Sequence, residues 1–114
     1  MAYYLVTAKP KPDRLANLLA NLRKSTYMPM RPFGRGMTHS LENARVREDG
    51  YAIWEEEDYC LPPLAQERAA ALDEFFDELK VTPVREGDGW EKIRQLPLLF
   101  PELAKSHEQA GGPT

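Results

Sequence analysis

Hydrophobic positions change period several times along the chain, and each change marks the border of a predicted strand or helix. Residues 3–8 combine aromatic and β-branched side chains and stop at a Lys-Pro-Lys-Pro run, which predicts a strand. A helix is expected next, because leucines recur at intervals of three and four residues, at Leu15, Leu18, Leu19 and Leu22.

Residues 43–59 predict a β-hairpin, because Asp49-Gly50 is a favoured type I′ turn pair between two strand-like runs. A two-residue turn fixes the register and sets Arg45 opposite Trp54. Because opposite residues share a sheet face, one predicted face carries a mixed polar and aromatic set: Arg45, Arg47, Ala52, Trp54 and Glu56.

A second helix is predicted over residues 62–80, with an apolar stripe that leaves Glu67 outside. Residues 81–86 predict a short strand, and Pro83 places it at an edge or a bulge. A short third helix is expected around Trp90. Residues 25–43 have no clean period and predict a long loop.

The predicted order is strand, helix, strand, strand, helix, strand, which is the ferredoxin-like βαββαβ pattern with a four-stranded antiparallel sheet. It is expected to form a single α+β domain over residues 1–104, with a C-terminal helical extension and a flexible tail over residues 105–114. Over about residues 2–86 this architecture resembles the dimeric α+β barrel superfamily. That superfamily includes small monooxygenases, lactone isomerases and dehydratases. The resemblance carries no catalytic motif, so it transfers no site residue.

A homodimer is expected because both sheet faces carry large apolar residues, such as Tyr4 and Val6 on one face and Trp54 on the other. Two helices cover only one face, and a second copy of the sheet would cover the other. The alternative is a monomer whose second face is covered by the long loop and by residues 90–104.

Composition and charge narrow the classes of function. The 114 residues suit one domain and include one cysteine, Cys60, which favours a reducing, cytoplasmic location. No leader or membrane-spanning segment is evident in the sequence. Residues 1–47 contain nine Lys/Arg and two Asp/Glu, and residues 48–114 contain six and sixteen. Since the charges are interleaved with apolar residues and the pI is about 5.4, we expect complementary halves and neither nucleic-acid nor membrane binding.

Arginines beside an indole on one face predict a binding site for a small anionic or aromatic molecule, with Arg45 and Arg47 as clamps and Trp54 as the wall. The alternative for this face is an ion pair between Arg45 and Glu56, with Trp54 as packing.

The 25–43 loop adds Arg31 and Arg35 as anion ligands, and His39 as a proton carrier near neutral pH. We expect Arg35, His39, Arg45 and Trp54 to converge on one pocket, with Glu56 as a second catalytic group and no cofactor. The loop's alternative role is a lid or a dimer clasp.

The sequence gives weaker support for a metal site, a carboxylate site or a reactive cysteine. Met28, Met30, Met37 and His39 suit Cu(I), but methionine more often fills gaps, so no metal is expected. The acidic run 55–58 alternates between faces and suits a solvated strand edge, and its charge disfavours a reactive Cys60. The alternative function is a non-catalytic accessory protein that docks through its acidic second helix and residues 96–103.

Overall fold

A four-stranded antiparallel sheet organises residues 2–103, the part of the chain that the computed structural model describes. The predicted tail, residues 105–114, lies outside this range. Strands and helices follow in the order β1 (Ala2–Pro10), α1 (Leu15–Arg23), α2 (Gly34–Glu42), β2 (Arg45–Val46), β3 (Ala52–Asp58), α3 (Ala65–Glu67), a π-helical turn (Arg68–Leu72), α4 (Asp73–Phe75), β4 (Phe76–Val84) and α5 (Asp88–Ile93). The structure confirms an α+β fold with the predicted first strand and first helix.

The strands lie in the order β2-β3-β1-β4, and every neighbouring pair is antiparallel. Val6 pairs with Trp54, and Tyr4 pairs with Glu56. Because side chains alternate along a strand, these residues share the face that packs under the helices. The core on this face is built from the most buried apolar residues of the sheet and helices, among them Val6, Leu18, Met37, Leu41, Trp54, Leu72 and Phe75.

The hairpin turn is one residue longer than predicted, which corrects the register. The N–H of Arg47 donates to the carbonyl of Tyr51, and Gly50 takes a positive φ of 87° as the third loop residue. Arg45 therefore pairs with Ile53, and Trp54 faces the other way. Because a shift of one residue reverses the face of every side chain, Arg45 and Trp54 lie on opposite sides of the sheet.

The predicted 25–43 loop contains a helix, α2. Met37 and Leu41 are fully buried on its inner side, and α2 packs against β3. The Ser40 hydroxyl donates to the Glu55 carbonyl of β3 at 2.8 Å. Gly34 begins α2, and only glycine fits at this position, because a Cβ there would lie 2.0 Å from the Tyr27 carbonyl oxygen. Gly34 and Gly36 also interrupt the helical period of the sequence here.

The predicted second helix is wrong beyond Phe75, because β4 begins at Phe76. β4 is a nine-residue edge strand, which agrees with the edge position inferred from Pro83. Its register against β1 shifts between Thr7 and Lys9, beside Glu78 at a positive φ of 52°. This irregularity interrupts the strand alternation, so the sequence pattern resembles a continued helix.

The second sheet face is partly covered by the chain itself. Gly89 of α5 lies so close to the sheet that a Cβ would be 2.8 Å from Glu55 Oε1 and 3.3 Å from Leu5 Cδ1. At the sheet edge, backbone hydrogen bonds join Val46 to Pro97 and Leu99 to Ala44, so residues 97–99 lie beside β2. The homodimer is predicted from apolar residues on both sheet faces, but Trp54 is fully buried within one chain, on the same face as Val6. The part assigned to Trp54 is wrong, and the oligomeric state stays a prediction.

Ion pairs connect the basic and acidic halves of the sequence at the surface. Lys11 lies 3.8 Å from Asp77, Lys9 lies 4.0 Å from Glu78, and Arg14 pairs with Glu74. Exposed pairs of this kind contribute little to stability individually, but they match the charge complementarity expected from the sequence. Within residues 2–103, every helix is too short or too polar to cross a bilayer.

Candidate functional site

A groove on the second sheet face lies between α2, β2 and α5, and Glu55 of β3 fixes one of its walls. The Glu55 carboxylate accepts hydrogen bonds from the backbone N–H groups of Gly87 and Gly89 at 2.8 Å, and of Trp90 at 3.3 Å. The first turn of a helix leaves such N–H groups without intrahelical partners, and a carboxylate also suits their partial positive charge. Glu55 thereby holds α5 against the sheet and orients Trp90.

Arg45 holds the other end of α5. Its Nη1 donates to the carbonyl oxygens of Arg94 at 3.1 Å and Leu96 at 2.7 Å. A guanidinium suits carbonyl groups at the end of a helix, where the dipole is negative. Its buried Nε has no hydrogen-bond partner among residues 2–103. The guanidinium therefore has one donor without a partner inside the described chain.

The basic end of the groove is a cavity of about 250 Å³. None of its lining side chains is acidic, and they are His39, Asn43, Arg45, Trp90 and Arg94. The His39 ring meets the half-buried Trp90 ring edge-on, with centroids 6.5 Å apart. Arg94 also lies 3.5 Å from Glu91 in an exposed pair, which leaves its guanidinium largely available.

An acidic cavity of about 260 Å³ lies on the other side of His39 and Trp90, which line both spaces. Glu55, Glu57 and Glu86 contribute to its wall. The imidazole and the indole thus stand between a basic and an acidic compartment.

The structure brings together only some of the residues expected in one pocket. His39 and Arg45 share the basic cavity. Trp54 does not line it, because Trp54 is fully buried on the opposite sheet face against Phe76, with ring centroids 5.2 Å apart. Trp90 is the indole at the groove.

The other predicted anion ligands lie elsewhere. Arg47 pairs with Asp49 at the hairpin turn and stacks over Tyr51, 5.1 Å from its ring centroid. Arg31 and Arg35 are exposed, and neither lines the basic cavity.

Glu56, the predicted second catalytic group, is buried beside Trp54. The Trp54 indole Nε1 donates to Glu56 Oε1 at 2.8 Å, and Oε2 has no partner among residues 2–103. Burial raises the pKa of Glu56 to about 8. The Trp54 hydrogen bond opposes this rise, and the charges of Glu67 and Asp58 add to it. Glu56 does not line the groove.

A second polar cluster lies at the end of β3, beside a smaller cavity of about 150 Å³. It consists of Asp58, Cys60 and Glu67, whose ligand atoms all lie within 4.8 Å of one another. Asp58 Oδ2 accepts a hydrogen bond of 2.6 Å from the N–H of Leu64, which has a positive φ of 64°.

Glu67 and Cys60 both have raised pKa values in this cluster. Burial raises the pKa of Glu67 to about 7, against its own backbone hydrogen bond and together with the neighbouring Asp58. A backbone hydrogen bond from Gln66 lowers the pKa of the Cys60 thiol, but burial and the carboxyl groups of Asp58 and Glu67 together raise it more. The sequence predicted this direction for Cys60.

Sequence reasoning missed Trp90, Arg94 and Asn43 in the groove, and Asp58 and Glu67 in the cluster. An aromatic residue directly after Gly87-Asp88-Gly89 was the signal for Trp90, since glycine permits close approach of α5 to the sheet. Glu67 carried no such signal: a regular helix leaves it outside the apolar stripe, whereas the π-helical turn that follows changes the helical phase.

No protein-family model matches this sequence, and comparisons with curated proteins and with solved structures found no match.

Proposed function

We propose that this protein binds a small organic anion with an aromatic or apolar body in the groove between α2, β2 and α5. One observation carries the proposal: two guanidinium groups, an imidazole and an indole line a single cavity of about 250 Å³ in which no lining side chain is acidic. Concave sites with a few convergent polar groups and an aromatic wall are typical of small-molecule binding.

Arg45 and Arg94 are suited to the acid group of the ligand, because guanidinium forks match carboxylate and phosphate oxygens. Arg45 is already held by two backbone carbonyls, so little side-chain entropy is lost when it binds. Trp90 offers a flat wall for the aromatic or apolar body of the ligand.

His39 is the candidate for catalysis. It stands at the boundary of the two cavities, and an imidazole can donate or accept a proton near neutral pH. We propose acid–base chemistry at His39 without a bound cofactor. Glu56 has no part in this proposal, since it lies across the sheet.

The wider architecture belongs to the same proposal. The strand order β2-β3-β1-β4 supports a ferredoxin-like arrangement, and the half-buried Leu5 and Thr7 on the second face leave area for a homodimer of the α+β barrel type. The single cysteine favours a cytoplasmic location. The accessory-protein alternative has less support, because Phe100 and Leu103 of its docking segment are buried in the core.

The experiment is calorimetric titration with benzoate and phenylacetate, and with benzyl alcohol as the neutral analogue. We expect the carboxylates to bind and the alcohol to bind at least tenfold more weakly. Arg94→Gln should weaken carboxylate binding about tenfold, while Arg47→Gln, which changes an arginine outside the cavity, should leave it unchanged.

Arg45→Gln is a second variant, checked by circular dichroism because Arg45 also holds α5. Equal binding of the acid and the alcohol, or equal affinities of the Arg94→Gln and Arg47→Gln variants, would refute the proposal.

A further inference from the structure

We propose that Asp58, Cys60 and Glu67 bind a divalent transition-metal ion at the end of β3. Zn²⁺ is the ion that suits these ligands best. The three come from β3, from the segment after it and from α3, and their ligand atoms lie within 4.8 Å of one another. Zinc bonds of about 2.0–2.3 Å in a tetrahedral site place ligand atoms roughly 3.3–3.7 Å apart. Side-chain movements of about an ångström therefore complete the three protein ligands.

No cationic side chain in the described part of the chain offsets the negative charge of this cluster. Asp58 and Glu67 are 3% and 1% exposed. No lysine or arginine in the described part of the chain forms an ion pair with either of them. Two buried carboxylates without a cation are costly, and a divalent ion removes that cost.

Glu56 gives an independent indication that a ligand belongs here. It is 1% exposed and lies on the same sheet face as Asp58, two residues earlier on β3. Trp54, two residues in the other direction, donates to Oε1. The charges of Glu67 and Asp58 act on the Glu56 carboxyl group, which therefore lies near the cluster. Oε2 is buried and finds no hydrogen-bond partner in residues 2–103. A water molecule on a metal ion would supply that partner.

The adjoining cavity, which Asp58, Cys60 and Glu67 line, leaves room for a water molecule on the ion. It measures about 150 Å³, and Phe33 and Gly36 line it together with the three ligands. Three protein ligands with one open position are typical of catalytic zinc sites.

The donor atoms narrow the choice of metal. A thiolate with two carboxylates favours zinc, cobalt or cadmium over magnesium or calcium, which prefer oxygen alone. No metal is predicted from the sequence, because its cysteine and histidines lack the spacing of a zinc motif and the helical pattern places Glu67 on an exposed face. This site shares no lining residue with the basic cavity proposed for the anion and does not depend on it.

The test uses the full chain after removal of metal by a chelator. Titration with Zn²⁺ should give one ion per chain, and titration with Co²⁺ should produce a thiolate-to-cobalt charge-transfer band. Cys60→Ser should abolish this band. Glu67→Gln should weaken Zn²⁺ affinity at least tenfold, because a neutral amide replaces a charged ligand.

Glu57→Gln is the matched control, since it removes the same charge from the same cavity wall without changing a proposed ligand, and its affinity should stay within twofold of wild type. The absence of the cobalt band in the wild-type chain would overturn the proposal whatever the variants do. Equal Zn²⁺ affinities of the wild type and Glu67→Gln would overturn it as well.

Discussion

Replacement of Glu55 by Gln tests whether one buried carboxylate holds α5 on the sheet. Glu55 accepts hydrogen bonds from three backbone N–H groups, those of Gly87, Gly89 and Trp90. Gln keeps the shape of the side chain but has one acceptor oxygen. Its amide N–H₂ group must therefore face at least one of these N–H donors, and the site loses its negative charge.

The expected destabilisation follows from these contacts. Hydrogen bonds to a charged group contribute about 1.5–3 kcal/mol each, and an orphaned buried donor carries a further cost. Loss of one to two such bonds predicts a decrease of about 3 kcal/mol in the free energy of unfolding. For a domain of this size, that change lowers Tm by roughly 10–20 °C.

Urea unfolding followed by far-ultraviolet circular dichroism measures this change. The control is Glu57→Gln on the same strand, whose exposed carboxylate should change the stability by less than about 0.5 kcal/mol. Acrylamide quenching gives a local signal, because Trp90 should become more accessible in Glu55→Gln while Trp54 stays protected. A destabilisation below about 1 kcal/mol, with unchanged quenching, would refute the role assigned to Glu55.

Three further predictions concern the backbone and the assembly. Gly34→Ala should destabilise the protein by several kcal/mol in urea unfolding, because its Cβ would lie 2.0 Å from the Tyr27 carbonyl oxygen and overpack the site. The control is Gly36→Ala, whose Cβ has open space around it. This variant should be neutral or stabilise the protein by up to about 1 kcal/mol. Gly50→Val should cost about 1–2 kcal/mol through backbone strain at φ 87°, whereas Gly50→Asn should cost clearly less, and equal stabilities would contradict the positive φ. Sedimentation equilibrium should give twice the chain mass of 13.0 kDa for the proposed homodimer, and a single-chain mass at all concentrations would rule it out.

The parts of the fold that the sequence could predict are those governed by local periodicity. Leu18 and Leu22 are buried in α1 as their spacing requires, and the first strand runs where its β-branched residues end at prolines. The existence of the hairpin also follows from Asp49-Gly50. The register of the hairpin does not follow from this dipeptide. A three-residue loop that ends in a glycine at positive φ contains the same Asp-Gly pair as a two-residue turn.

The site could be predicted only in part, because local periodicity gives neither the turn length nor the tertiary contacts. His39 and Arg45 lie in one groove, but the one-residue difference at the turn moves Trp54 to the opposite face. Trp90 takes its place through a tertiary contact, the docking of α5 onto Glu55, which no local period records. Glu67 is buried although the apolar stripe leaves it outside, and the π-helical turn that begins at Arg68 breaks the constant phase that the sequence pattern assumes.

Arg45 is proposed to hold the anion in the groove, and the N–H signal of its Nε in a ¹⁵N-edited NMR spectrum reports on that contact. The buried Nε has no hydrogen-bond partner in the described chain. Its signal is assigned as the one that disappears from the spectrum of the Arg45→Lys variant. Titration with benzoate should shift this signal together with the indole N–H of Trp90, while the indole N–H of Trp54 stays in place. Saturable shifts that leave Arg45 and Trp90 unaffected, or no shifts at all, would contradict the account.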